Sequence, residues 1–246
     1  MICELNQDKL FALVNHQINN FWPLDRIAEG YMRSMEVALK RIEQNFIKRS
    51  SRAFQRNGEA VFNIRHSVQY SIFLYTFANQ LYLDGNENAA TTVYYLNKIM
   101  HSVDWFYEIN MPEHFGAEHP LSSVVGRAKI GDYLFLYQGT TIGGNRRKEV
   151  ISYPIIGEHV LMYSNSKILG ESIVGNNVIL AANSYVLNEE IPDNSIVFGQ
   201  SPDLCIKRRE EKEILERMQS IWIMGGGVKI LWIIYFNIVF CGDENE

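Results

Sequence analysis

Two hydrophobic periods divide the chain. In the first hundred residues apolar positions recur every three or four places. From Asp25 to about Ile47 they fall at Ile27, Tyr31, Met35, Leu39, Ile42 and Phe46, which predicts a helix with one apolar face. A second helix is predicted from Ser67 to Leu83, ending at Asp84-Gly85, where glycine accepts the left-handed conformation of a helix stop. A third is predicted from Glu87 to Met100, carrying Val93, Leu96 and Met100. After Pro120 the period becomes six. Ile130, Leu136 and Ile142 form a short series, and Ile156, Met162, Ile168, Val174, Leu180 and Val186 form a longer one.

A period of six fits neither a helix nor an alternating strand. It fits one flat side of a triangular solenoid, whose coils take about 18 residues and stack one inward side chain per side. Compact residues at Val160, Ser166, Ser172, Val178 and Ser184, and Gly131, Gly143, Gly157, Gly175 and Ala181 directly after apolar positions, suit its corners. From Ile142 to Ile156 the register breaks. The polar, glycine-led stretch Gly143 to Pro154 predicts a loop extruded from a coil, the kind of element that often carries function on a rigid scaffold. The predicted class is α+β: an N-terminal α-helical domain (1–110), a left-handed parallel β-helix (111–204), and a C-terminal helix and apolar tail (205–246).

Composition narrows the function. With 47% hydrophobic and 21% charged residues the chain reads as an ordinary globular protein. A net charge of -5 without a basic stretch argues against nucleic acid. Cys3, Cys205 and Cys241 have no metal-ligand spacing and suggest no disulfide framework, and the start of the chain lacks a signal-peptide pattern, so a cytoplasmic location is expected. The apolar run Ile230 to Phe240 is too short to span a bilayer and reads as buried packing rather than membrane contact.

The repeat, its loop and the helical domain before it resemble the hexapeptide-repeat acyltransferases, in particular the serine acetyltransferases and their relatives in surface-polysaccharide gene sets. The resemblance runs from about Ser67 to Arg209. It is carried by Glu118-His119-Pro120, Thr141-Ile142-Gly143-Gly144, Tyr153-Pro154-Ile155-Ile156-Gly157, Lys167-Ile168-Leu169-Gly170, Ile191-Pro192 and the exit Gly199-Gln200-Ser201-Pro202. It implies acetyl-CoA as co-substrate, no metal, and a homotrimer or a dimer of trimers with active sites between β-helices. His119 matches the catalytic histidine, a base suited to neutral pH that deprotonates an acceptor hydroxyl as it attacks the thioester. Asp104 and Glu108 are the candidates for the carboxylate that orients its ring, and Glu118 matches an acceptor-contacting aspartate. Gly144, Ser164 and Ala182 match donor-contacting residues, while Lys207 and Arg208 could meet CoA phosphates or begin a solvated helix to Ser220.

The departures redirect the acceptor. Ser152 and Tyr153 stand where the serine acetyltransferases carry an arginine and a second histidine before the proline. A serine cannot make the arginine's charge-assisted contact with an amino-acid carboxylate. Arg146 or Arg147 could supply that charge to the substrate from the loop, although they sit at its other end, and Tyr153 could hydrogen-bond a sugar hydroxyl or stack on its ring. The expectation is therefore O-acetylation of a sugar hydroxyl in capsule or lipopolysaccharide synthesis. The alternatives are serine O-acetylation in cysteine synthesis and a non-catalytic trimeric scaffold. A zinc carbonic anhydrase would need three convergent histidines. His114, His119 and His159 lack that branch's spacing, and His66, His114 and His159 read as structural.

Overall fold

A computed structural model of the chain describes residues 1–23, 25 and 27–224. The apolar run from Ile230 to Phe240 and Cys241 lie outside the described residues.

The helical region is built around α3 (Ser67–Leu83), buried on nearly every side, between α2 (Met32–Ile47) and α4 (Glu87–His101). α3 and α4 begin and end almost where their periodicity places them. α2 begins at Met32 rather than Asp25, because Pro23 and a 3-10 turn at Glu29–Tyr31, with Gly30 at its centre, precede it. A further helix, α1 (Gln7–Phe21), was not anticipated, although its signals are present. The Asn6 side chain caps the Lys9 N–H at 3.0 Å, and Leu10, Phe11, Val14 and Ile18 form its buried face. Ile2–Cys3, Gln55–Arg56 and Glu59–Phe62 make a small sheet beside these helices.

The second region is a parallel β-solenoid of the hexapeptide-repeat type. Its first face stacks Lys129–Ile130, Ile155–Ile156, Ile173–Val174 and Glu190–Ile191. The second stacks Phe115–Ala117, Leu134–Leu136, Val160–Met162, Val178–Leu180 and Ser195–Gln200. The third stacks Asp104–Trp105, Val124–Val125, Thr141–Gly143, Lys167–Leu169 and Tyr185–Leu187. Partners such as Ile155 and Ile173 are one 18-residue coil apart. All six residues of the long series point inward and are buried, each contributing about 1.5–3 kcal/mol over its exposed state. The solenoid's first strand is Asp104–Trp105, ahead of Pro120, where the sequence period becomes visible.

Corners require one left-handed residue per turn, a conformation costing most L-residues about 1–2 kcal/mol. Asparagine, which tolerates it, recurs there as Asn165, Asn177, Asn183, Asn188 and Asn194, with φ between 55° and 63°. The side chains bond up the stack: Asn177 Nδ2 donates to Asn194 Oδ1 at 2.9 Å and Asn165 Nδ2 to Asn183 Oδ1 at 3.2 Å.

The exterior of the second face is also apolar. Phe135, Leu161, Ile179 and Ile196 point outward and are covered by Ile214 and Met218 of α5 (Glu211–Met218), together with Trp222. Lys207 and Arg208 belong to neither a loop nor this helix. The segment Asp203–Arg208 is a strand antiparallel to Ser195–Gln200, satisfying what would otherwise be an open edge. No helix among the described residues is long and apolar enough to cross a membrane.

Candidate active site

The register assembles a site at one corner of the solenoid. Ala117, Leu136, Met162 and Leu180 are successive partners on the second face. Each strand continues with a bond to the next coil: Glu118 N–H donates to Leu136 O, Tyr137 N–H to Met162 O and Tyr163 N–H to Leu180 O, at 3.0 Å in each case. One position further on, the column reads His119, Gln138, Ser164, Ala182. His119 and the two candidate donor contacts Ser164 and Ala182 thus share one edge, though 63 residues of sequence separate the ends.

His119 is exposed and held in the left-handed region at φ 49°. That is the corner conformation, which Tyr133 and His159 also adopt at other corners. Pro120 follows, and the corner closes with the Gly139 N–H donating to Leu121 O and the Ser122 N–H to Ser102 O. Ser102 immediately precedes the segment carrying Asp104, whose own N–H donates to Ser123 O at 2.8 Å. Asp104 therefore lies under the corner that presents His119. Its carboxylate accepts from the Tyr94 hydroxyl and the Lys98 ammonium of α4. Neither Asp104 nor Glu108 is bonded to the His119 ring among the described residues.

Glu118 stands next to Tyr137, whose hydroxyl donates to its Oε2 at 2.9 Å. Tyr137 stacks on Tyr163 of the next coil at 5.3 Å between ring centroids. Burial, and then the neighbouring Glu118 charge, push the Tyr137 phenol well above its ordinary range, so it remains a donor.

A second group of polar residues gathers at the far edge of the third face, where the extruded loop leaves. The loop is a hairpin pairing Asn145–Arg147 with Val150–Ser152. At its base the Tyr153 ring lies so close to Gly144 that a Cβ there would meet the ring at 2.8 Å. Arg127 donates from Nη2 to Glu108 Oε2 at 3.1 Å, and this pairing, with a smaller effect of the nearby Tyr153, raises its pKa. Arg146 lies exposed on the hairpin. Between Gln138 in the His119 column and Gly144 lie the corner turn at Gly139 and the whole strand Thr141–Gly143, so the two stand at opposite edges of the third face. One chain therefore does not bring Gly144, Tyr153, Arg146 or Glu108 to His119. Lys207 and Arg208 are also apart from Ser164 and Ala182, pairing with Ile196 and Ser195 at the opposite end of the second face.

Of the other histidines, His114 and His159 stack rather than converge with His119. His114 and His159 sandwich the Tyr133 ring at 4.8 and 4.7 Å, and His114 Nδ1 lies 2.7 Å from Asp132 Oδ2. This column is at the start of the second face, and His119 is beyond its end. No group of three or more metal-ligating side chains occurs among the described residues.

Sequence inspection missed Arg127, Tyr137 and Tyr163. Tyr137 and Tyr163 are 26 residues apart, one coil of 18 plus the eight-residue hairpin Asn145–Ser152. Subtracting the loop before aligning coils would have paired them.

Comparison with known proteins agrees with this architecture. No family model matches the chain. A serine acetyltransferase of Staphylococcus epidermidis is 29% identical over 102 residues, covering 41% of this chain and 48% of that protein. One from Synechocystis is 27% identical over 101 residues, 41% of each. The chain spans about half the length of the curated relatives it matches. Among solved structures, the serine acetyltransferase of Neisseria gonorrhoeae superposes with a TM-score of 0.64 at 19% identity, covering 81% of this chain and 79% of that one. That of Brucella abortus in complex with coenzyme A gives 0.62 at 19% identity, covering 84% of each. The fold is thus of the hexapeptide-repeat, serine-acetyltransferase-like type. These relatives overturn the expected sugar hydroxyl. That expectation rested on Ser152 and Tyr153 alone, whereas the matched proteins in sequence and in structure are serine acetyltransferases.

Proposed function

We propose that the chain transfers the acetyl group of acetyl-CoA to the hydroxyl of L-serine, with His119 as general base. The observation that carries this reading is the column His119, Gln138, Ser164, Ala182 on one solenoid edge. It offers a base at one end and exposed backbone rungs leading away from it, on a fold shared with a coenzyme A-bound serine acetyltransferase. A serine hydroxyl attacks the thioester only as its proton leaves, and an exposed imidazole suits that transfer. Asp104 is the carboxylate we assign to orient the ring, because its backbone is tied into the same corner. Glu108 instead serves Arg127.

The two polar groups complete one another across subunits. In a trimer the hairpin edge of one copy would face the His119 edge of its neighbour. Arg127, paired with Glu108, would then supply the cation for the serine carboxylate that Ser152 cannot, with Arg146 available from the hairpin. Gly144 would line the same cleft, and acetyl-CoA would run along Ser164 and Ala182.

The test is release of CoA thiol from acetyl-CoA with L-serine as acceptor. Wild-type protein should turn over. His119→Ala should lose about 10²–10⁴ in kcat, the usual worth of a general base. Unchanged turnover in that variant would remove the base and bring forward a non-catalytic scaffold. A monomer at assay concentration would count against the shared site.

A further inference from the structure

On α2, Val37, Arg41 and Asn45 follow one another at a spacing of four, so they share one face of the helix. That face is not packed shut. With Thr76 of α3 and the segment 111–115, which leads into the second face of the solenoid, it walls a cleft of about 400 Å³. Small-molecule sites occupy about 300–1,000 Å³, so the cleft is large enough to hold a ligand. Val37, Met111, Pro112 and Phe115 give it apolar walls, and Arg41 stands among them.

Arg41 is half-buried and makes no ion pair among the described residues. Its hydrogen bonds go to neutral amides. Nη2 donates to Asn79 Oδ1 at 2.8 Å and Nη1 to Gln80 Oε1 at 3.3 Å. The Asp84 carboxylate is engaged elsewhere, accepting from Gln80 Nε2 at 3.0 Å and from the Ser34 hydroxyl at 2.7 Å. Lys40, which also borders the cleft, is paired with Glu36 at 2.7 Å. Burial lowers the Arg41 pKa, and no carboxylate among the described residues acts to raise it. An arginine stays charged all the same, and a partly buried charge without a counter-ion is costly.

The chemistry of the walls selects the anion that would complete it. The planar guanidinium fork matches a carboxylate, which it can take in paired hydrogen bonds. A dianion such as phosphate would give up its hydration against Met111, Pro112 and Phe115, whose side chains return no hydrogen bond. A monocarboxylate with a hydrocarbon body sets its one charge on Arg41 and buries the rest on the apolar walls.

We propose that this cleft is a binding site for a small monocarboxylate with a short apolar body, its carboxylate on the Arg41 fork and its hydrocarbon against Met111 and Phe115. The site uses none of the residues assigned to acetyl transfer, so it stands independently of that reading. Because its walls come from α2, α3 and the approach to the first strand of the second face, an occupant joins the helical region to the solenoid and stabilises both.

The test is calorimetric titration of the full chain with 3-methylbutanoate, 3-methylbutanamide, acetate and inorganic phosphate. 3-Methylbutanoate should saturate a single site per chain and raise Tm. The amide keeps the shape and loses the charge, and acetate keeps the charge and loses the body, so each should bind about tenfold more weakly or worse. Arg41→Gln should weaken 3-methylbutanoate by about tenfold or more. Val37→Trp, which fills the cleft and leaves the charge in place, should abolish the binding. If Arg41→Gln fails to fold, Val37→Trp decides, and if both fail, the comparison of 3-methylbutanoate with its amide and acetate decides. Binding unchanged in the folded variants would place the carboxylate elsewhere on the chain. Phosphate or acetate binding as tightly as 3-methylbutanoate would make the cleft a plain anion site. Either result, or no saturation by 3-methylbutanoate up to about 10 mM, overturns the proposal.

Discussion

Glycines that look alike in the repeat should differ sharply in what they tolerate. Gly157 and Gly143 each follow an inward apolar residue, Ile156 and Ile142. At Gly157 an added Cβ would lie 2.7 Å from the carbonyl carbon and oxygen of Gly175, one coil above. Those are backbone atoms locked in the stack, so they cannot swing aside as a side chain would. At Gly143 the same atom would meet only the tip of Leu169, at 4.0 Å. Overpacking of this kind costs about 1–3 kcal/mol. For a chain of this size that lowers Tm by roughly 2–12 °C. Gly157→Ala should therefore melt several degrees below wild type by calorimetry, and Gly143→Ala should stay within about 2 °C. Both should be measured at one protein concentration, since assembly shifts Tm by mass action. Equal melting temperatures for the two variants would refute the argument that close approach of backbones, rather than turn conformation, demands glycine at Gly157.

Two further outcomes are expected. Trp222→Ala should cost about 3–5 kcal/mol, as for other buried tryptophans, because Trp222 is 1% exposed between Phe135 and the Arg49 guanidinium; hydrogen exchange should then show α5 opening before the solenoid, and unchanged α5 protection would contradict its anchoring role. Stability should fall as pH drops from about 6.5 towards 4. Burial lowers the His101 pKa to about 4, so the fold favours its neutral form and the unfolded chain takes up the proton first. This contribution is complete above the unfolded value and is lost as pH falls through that window. His66 and His159, also lowered by burial, add in the same direction. Urea midpoints across this range check it, and His101→Gln should flatten the slope.

The solenoid was legible because its rule is local. Each coil buries one side chain per face at a fixed offset, so the constraint reappears every six residues from Ile156 to Val186. The helices of the N-terminal region were legible for the same reason, except α1, whose cap at Asn6 was overlooked, and the start of α2, displaced by a turn. The outer apolar ladder of Phe135, Leu161, Ile179 and Ile196 was harder to see. It repeats once per coil and is interrupted by the hairpin, and only its covering by α5 and Trp222 explains it. Reading the acceptor from Ser152 and Tyr153 considered only charges carried by that loop, and the matched relatives overturned it. Arg127 stands beside Tyr153 from a different coil.

By itself, then, the sequence determined the class of fold, the site of the extruded hairpin and the prominence of His119, all of which depend on spacing along the chain. Tertiary structure decided what stands next to what. It set His119 in one column with Ser164 and Ala182, kept Tyr153 a full face away, and buried Arg49 among Phe54, Phe135 and Trp222. Those relations depend on the stacking register and on which helix covers which wall. They join residues far apart in the chain, through contacts that leave no periodic mark on it.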